Sequence, residues 1–271
     1  MKISLCNELL PLPWHESVEK IVELGFEGVE VAPYTFAPDV RVICKHERSR
    51  ILEIARSHGL EICGLHWLLV SPPGLSLVHP DFSVRDRTVE YLGELARLCA
   101  DLEGKVMVLG SPKQRSTLPG QRRESAWTFL IDSLKRACRY AEDCGVVIAI
   151  EPLARSLTDV VNTVSEALQV LERVGSPYLR INLDVFSMSD EAREYSEIIE
   201  EAGQYLVHFH ANDTNGLAPG MGSADYNDII RALRKVGYDS WLSVEVLSPV
   251  EDPVGVAKTG IQNLRSFLST S

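Results

Sequence analysis

The chain is poor in positive charge: 27 lysines and arginines stand against 38 aspartates and glutamates, a net charge of −11 over 271 residues. That balance repels nucleic acid and anionic membranes, and it suits a small neutral substrate or one held by a metal. No apolar run approaches the roughly 20 residues that span a bilayer. Met1–Leu10 carries one lysine in a broken apolar run, without the layout of a secretory signal. The six cysteines include no Cys-x-x-Cys pair and sit mostly in apolar segments, which reads as reduced core thiols in a cytoplasmic protein. No Gly-x-Gly-x-x-Gly follows an early strand, so an open doubly wound sheet lacks its usual dinucleotide fingerprint. Low-complexity linkers and breaks in composition are missing too, and 1–271 reads as one domain.

What is present is a regular alternation. Strands are expected at Lys2–Cys6, Gly28–Ala32, Leu60–Trp67, Lys105–Leu109, Val146–Ile150, Tyr178–Asp184, Tyr205–Ala211 and Ser240–Val246. Helices are expected between them, at Trp14–Leu24, His46–His58, Val84–Leu102 and Arg122–Cys144 in the first half. In the second half they fall from Thr158 or Asp159 through Arg173, at Asp190–Ala202, from an Asp225 cap to Val236, and at Asp252–Leu268. Gly25, Gly59, Gly145 and Gly237 follow helices as C-terminal stops. No antiparallel hairpin signal interrupts the series, so the strands are parallel. Eight strand–helix units predict closure into a single (β/α)8 TIM barrel.

The richest stretch is Val207–Gly222. His208 and His210 alternate on a short apolar strand and so point to the same side of the sheet, just before a loop of Asn, Asp and Gly. Three other apolar runs close on an acid: Val146–Ile150 on Glu151, Leu179–Leu183 on Asp184, and Trp241–Val244 on Glu245. The four positions are each about one strand–helix unit apart. In a barrel, strand C-termini form the active face, so consecutive strands five to eight deliver Glu151, Asp184, His210 and Glu245 to one place. Three carboxylates and an imidazole packed without a cation raise one another's pKa values. A divalent ion removes the conflict. Mostly hard oxygen donors with one nitrogen suit six-coordinate Mn²⁺, Mg²⁺ or Co²⁺, and two open positions remain for substrate oxygens. Zinc more usually shows more His or Cys. Taken singly, each acid also reads as a helix cap or salt-bridge partner; it is the recurrence at one level that singles them out.

Ile150-Glu151-Pro152, Asn182-Leu183-Asp184, His208-Phe209-His210-Ala211-Asn212-Asp213, Ala218-Pro219-Gly220-Met221-Gly222 and Val244-Glu245 together resemble a known family. The whole chain is similar to the xylose isomerase-like barrels of sugar isomerases and epimerases, above all the ketose 3-epimerase branch (D-tagatose and D-psicose 3-epimerase-like). Ile3–Asn7 and Gly28–Ala32 resemble its first two strands. The resemblance implies two Glu, one Asp and one His holding a divalent metal, Mn²⁺ first, at the four positions above. It also implies a mechanism. The sugar carbonyl and a neighbouring hydroxyl chelate the metal, one of Glu151 and Glu245 removes the α-proton, and the other returns it to the opposite face of the enediolate. Return to the adjacent carbon would give aldose–ketose isomerisation. Asp184 and His210 serve the metal alone.

Three places depart from the branch. Ser187 stands where a His follows the metal Asp, Gly216 where an Arg follows the metal His, and Leu157-Thr158 near a substrate-gripping Glu. The metal core is kept while the usual grip on the sugar hydroxyls is replaced. Softer candidates for substrate contact are His66 and Trp67 at the end of strand three and Cys6 at the end of strand one, with a packed rim and a core thiol as the plain alternatives. His208 reads as a hydrogen-bonding support for His210, and Glu30 as an ion-pair partner within the barrel or a support of the site. Trp14, on a helix face, reads as core or as a sugar-stacking wall. The partner expected is a small sugar or sugar derivative, with a homodimer or homotetramer as the assembly. A dehydratase of an inosose- or dehydroshikimate-like compound is the rival enzyme, and a non-catalytic sugar-binding module the rival without chemistry. A three-metal DNA-repair endonuclease needs more histidines and less negative charge.

Overall fold

Strand β1 (Lys2–Cys6) pairs in parallel with β2 (Gly28–Val31) on one side and with β8 (Trp241–Val244) on the other, so the sheet closes without an edge. Between them run β3 (Glu61–Leu65), β4 (Val106–Leu109), β5 (Val147–Ile150), β6 (Leu179–Asp184) and β7 (Leu206–Ala211), each parallel to the next. The computed structural model describes residues 1–270, and among these eight strands alternate with eight long helices as a (β/α)8 barrel. The helices are α1 (Trp14–Leu24), α2 (Lys45–Ser57), α3 (Phe82–Asp101), α4 (Arg123–Cys144), α5 (Val164–Val174), α6 (Tyr195–Ala202), α7 (Tyr226–Lys235) and α8 (Pro253–Thr270). None of the helices described is long and apolar enough to cross a membrane.

Alternation along each strand divides its side chains between two environments. One set, including Leu5, Val29, Met107, Ile148, Ile181 and Phe209, packs with the apolar faces of the helices in one continuous core. The other set meets in the barrel interior, where Val106, Val108 and Ala149 form a small apolar plug against Val207. Above that plug the interior turns polar. Ser4 and Ser243 share a hydrogen bond of 2.6 Å, and Glu30 accepts from His208 at 2.8 Å. A register slip makes part of this possible: Ile181 pairs with Leu206, but Asn182 pairs with His208 and Asp184 with His210, leaving Val207 as an extra residue on β7.

Several boundaries differ from the expectations. Strands three and eight stop at Leu65 and Val244, so His66, Trp67 and Glu245 stand on loops. The helix expected from Thr158 or Asp159 begins at Val164. Thr163 Oγ1 accepts from Glu166 N at 3.2 Å, and Glu166 Oε2 accepts from Asn162 N at 2.7 Å, which caps the helix there. Thr158 and Asp159 are occupied across the loop, by Ser116 Oγ at 2.9 Å and by Thr117 N at 2.9 Å. The helix expected from Asp190 begins at Tyr195, because Ser189–Glu191 forms a short 3-10 turn and Ala192 follows in a left-handed conformation with φ 53°.

Candidate active site

Glu151 and Glu245 each lie one residue beyond a strand, yet their N–H groups continue the ladder by donating to Leu109 O and Ala211 O, both at 3.3 Å. Asp184 closes β6, and the slipped register sets it level with His210 on β7. Four consecutive strands thus bring four donor atoms to one point. A carboxylate oxygen of Glu151, Asp184 and Glu245 and a ring nitrogen of His210 all lie within 4.8 Å of one another, and all four residues are buried.

Three of the four side chains are held from behind. Glu151 Oε1 accepts from Asn182 Nδ2 at 3.1 Å. Its other oxygen rests on the bare backbone of Gly110, where a Cβ would stand 2.3 Å from Oε2. Asp184 accepts from Ser187 N at 2.7 Å and from Asn212 Nδ2, while Asn212 Oδ1 accepts from Phe186 N at 2.8 Å. The His210 ring is fixed by Glu30, whose carboxylate oxygens lie 3.2 and 3.3 Å from Nε2. Nδ1 therefore faces the other way, 3.1 Å from Glu245 Oε2 and 3.3 Å from Glu151 Oε1, without hydrogen-bond geometry to either. Beneath the floor, fully buried Arg115 donates to Glu151 O at 2.6 Å and to Leu109 O at 3.3 Å. Burial brings its guanidinium down to about 10, against the attraction of Glu151.

The electrostatics of this cluster are those of a site built for a cation. Burial, then Glu151 and Glu245, push Asp184 up to about 7. Burial opposes protonation of His210, but Glu245 and Glu30 raise it well above the usual imidazole range. Burial likewise works against ionisation of Glu245, yet His210 and His66 hold it at about 2. Three acids in such a space need positive charge at their centre, and His210 offers its unpartnered nitrogen to that same point. The span of the donors agrees with ligands around one ion at bond lengths of about 2.0–2.6 Å. The residues fit a divalent metal, and the preponderance of carboxylate oxygen fits a hard one.

A cavity of about 310 Å³ opens onto the cluster, and His66, Trp67 and Ser187 line it. His66 lies between two acids, with Nε2 2.9 Å from Glu8 Oε2 and Nδ1 3.5 Å from Glu245 Oε1. Burial works against its charge, but Glu8 and Glu245 push it up to about 10. Trp67 holds a strained backbone, φ 51°, at the same rim. Ser187 Oγ is buried with no protein partner. Cys6 is placed differently from the pocket wall expected of it: it is fully buried behind the site, its Sγ 3.7 Å from Glu30 Oε2, and it does not line the cavity. The cause is its place as the last residue of β1, level with Glu30 inside the barrel. His208 sits one step below His210, with Nε2 2.8 Å from Glu30 Oε2 and 3.0 Å from Ser243 Oγ. Trp14 is away from this cavity; its indole donates to Ile51 O at 3.0 Å and packs edge-on against Phe36.

Sequence reasoning passed over Asn182, Asn212, Gly110, Arg115 and Glu8. The two asparagines lie inside the motifs that carried the resemblance, beside Asp184 and His210, and that adjacency was the available signal. Gly110 and Arg115 lie in a polar loop whose composition says nothing of the carboxylate it supports. Asp213 also has a role the sequence leaves open: it clasps its own loop, accepting from Thr214 N at 2.8 Å, Gly220 N at 2.9 Å and Ala224 N at 3.0 Å.

Comparison with known proteins places this geometry among relatives. The sequence profile described as xylose isomerase-like TIM barrel matches residues 18–267. A D-psicose 3-epimerase of Ruminiclostridium cellulolyticum is 25% identical over 246 residues, covering 88% of this chain and 80% of its own. An L-ribulose 3-epimerase of Mesorhizobium japonicum is 30% identical over 229 residues, covering 83% of this chain and 73% of its own. Among solved structures, a D-psicose 3-epimerase in the presence of D-fructose superposes with a TM-score of 0.86 at 20% identity, covering 99% of both chains.

Proposed function

Since the chain belongs to the xylose isomerase-like TIM barrel family and is an isomerase of the epimerase kind, we propose that it is a metal-dependent sugar epimerase that moves a proton on the carbon α to a carbonyl. The observation that carries this reading is the single cluster of Glu151, Asp184, His210 and Glu245 at the floor of a cavity. Glu151, Asp184, His210 and Glu245 would hold the metal, Mn²⁺ first, with Mg²⁺, Co²⁺ or Zn²⁺ as alternates. Bound there, such an ion supplies Lewis-acid polarisation of the substrate carbonyl and positive charge beside the enediolate.

The chain's own residues do the rest. Strands β5 and β8 lie on either side of the β6–β7 pair, so Glu151 and Glu245 come to the substrate from two flanks. One carboxylate takes the α-proton, and the C–H electron pair flows into the carbonyl to give the enediolate. The second glutamate enters as the carboxylic acid and gives its proton to the opposite face of the same carbon. The enediolate electron pair forms the new C–H bond, which inverts the carbon and leaves the second side chain as the carboxylate. Asp184 and His210 are kept from proton transfer by their supports, Asp184 by Ser187 N and Asn212, His210 by Glu30. His66 and the free hydroxyl of Ser187 are the nearest donors for substrate oxygens, with Trp67 as the adjacent wall.

The test is deuterium incorporation. The Mn²⁺-loaded protein is incubated in D₂O with ketoses and keto-sugar derivatives, and the α-carbon is followed by NMR. Exchange with inversion, lost in Glu151→Gln and in Glu245→Gln, supports the two-glutamate shuttle; exchange retained in either variant removes that residue from it. A product short of one water would instead assign the site to a dehydratase. Binding of sugar with no exchange for any compound would leave a binding module. The chain works, in this reading, as one domain over 1–271 and as a homodimer or homotetramer, which light scattering decides. The cysteines described are all free, which supports a reducing compartment such as the cytoplasm.

A further inference from the structure

Above its polar floor the cavity changes character. Its apolar walls are Leu153 and Leu157 from the loop after β5, Phe186 from the short helix Val185–Met188 after β6, Leu247 from the loop after β8, and Trp67 and Pro112. Leu157 and Leu247 are large apolar side chains left 41% and 37% exposed, and both lie at this opening. Their placement is built in. Leu157 N donates to Ala154 O at 2.9 Å, while Leu247 N and Ser248 N both donate to Gly216 O, at 2.8 and 3.0 Å. Gly216, with φ 71°, makes this close approach possible, since a Cβ there would stand 2.9 Å from Ser248 Oγ.

One absence completes the picture. No lysine or arginine is among the residues lining the cavity, so beyond the His66 imidazole, already paired with Glu8 and Glu245, a phosphate or carboxylate on the substrate would find no counter-charge. Of the residues lining the cavity, His66 Nδ1, Trp67 Nε1, His210 Nδ1 and the hydroxyls of Ser111 and Ser187 are buried without a protein hydrogen-bond partner. A free ketose carries a hydroxyl on nearly every carbon, and hydroxyls pressed against leucine and phenylalanine lose water without gaining a partner.

Resting on the proton-transfer reading above, we propose that the substrate is a neutral keto sugar that carries an apolar group, aryl or alkyl, away from its reacting carbonyl. The carbonyl end meets the carboxylate floor, and the apolar group lies between Leu157, Phe186 and Leu247. Of the positions where the sequence departs from the ketose 3-epimerase pattern, Ser187, Gly216 and Leu157 of the Leu157-Thr158 pair line this one cavity. They form a continuous change of wall rather than three isolated losses.

The test uses a matched pair of probes, the methyl and phenyl glycosides of 3-keto-D-glucose, titrated calorimetrically into the Mn²⁺-loaded protein. The phenyl compound is expected to bind about tenfold tighter or better, the gain that burying one apolar group gives. In the double variant Leu157→Ser/Leu247→Ser the ratio of the two affinities should fall towards one. Both residues are on the rim, so thermal melting of the variant should match the parent. Equal affinities, a preference that survives in the double variant, or binding of neither probe overturns the proposal. Binding needs no turnover, and α-deuteration run on the same samples separates the two readings. A phenyl preference without exchange in any compound sinks the epimerase reading and leaves the apolar wall. Exchange with no preference does the reverse.

Discussion

Glu30 stands behind His210, 3.2 Å from Nε2, and so decides which ring nitrogen meets the three carboxylates. The Glu30 carboxyl is itself held well below its usual range: burial works against this, but His208 and His210 outweigh it. A buried anion of this kind fixes the tautomer and plane of a ligating imidazole. In Glu30→Gln the side chain keeps its size but loses its charge. Mn²⁺ affinity is expected to fall about 10- to 100-fold, measured by competition with a chelating dye. An unchanged affinity would mean that β7 alone orients the ring.

Gly110 provides a sharper test of where Glu151 must sit. In Gly110→Ala the new methyl would start 2.3 Å from Glu151 Oε2, so the carboxylate must move. A displacement near 1 Å in a reacting group costs on the order of 10²-fold in rate. The expected result is a loss of that size in kcat for α-deuteration, with a folded protein by circular dichroism. Retained kcat would show that Glu151 tolerates displacement and is no base.

Metal removal should be visible without any substrate. An ion present at about 100 times its Kd stabilises a folded chain by about 2.7 kcal/mol, and each kcal/mol raises Tm by roughly 2–4 °C at this size. Adding Mn²⁺ to chelator-treated protein is expected to raise Tm by several degrees in a calorimetric scan. The rise should largely disappear in Asp184→Asn. No rise at any concentration would end the case for a resident metal.

Arg115 is predicted to matter more for the fold of the loops than for charge balance. Its guanidinium serves the carbonyls of Glu151, Leu109 and Val161, the last at 3.4 Å and belonging to a residue with φ 62°. Arg115→Met leaves Glu151 O buried without this donor, at about 1–3 kcal/mol, while Leu109 O and Val161 O keep the backbone donors Glu151 N and Leu153 N. Urea denaturation should register a loss of about 1–3 kcal/mol if that oxygen remains dry. A loss under about 1 kcal/mol would show that water enters and replaces the side chain.

The places of the three clustered acids were legible because an apolar run that closes on an acid marks both a strand and the end of it that faces the cavity. Trp14–Leu24 was legible to both bounds, since Pro13 and Gly25 bracket it and Gly25 takes the left-handed conformation of a helix stop, φ 93°. The start of α5 was not, because Thr158, Asp159 and Thr163 all carry capping side chains and only tertiary hydrogen bonds choose among them. Glu30 could be seen inside a strand, but the partners across the barrel, His208 and His210, depend on closure of the sheet. Cys6 was misplaced for a related reason. Pattern alone puts the last residue of a strand at the rim, whereas the stagger of the barrel sets this one below it.

Val207 carries a consequence for anyone who would transplant this centre. Side chains alternate along a strand, so counting positions from Leu206 without allowing for the extra residue would turn Phe209 inward and both histidines out towards the helices. The inward aim of His210 therefore goes with a pairing offset as well as with its place in the sequence. A graft that carried Leu206–Ala211 with Val207 but paired it without the bulge would reproduce the composition of the site and miss its nitrogen. Deleting Val207 from this chain would leave Leu206 next to His208 and keep every one of the β6–β7 pairs, so the bulge and the inward aim of the histidines are separable.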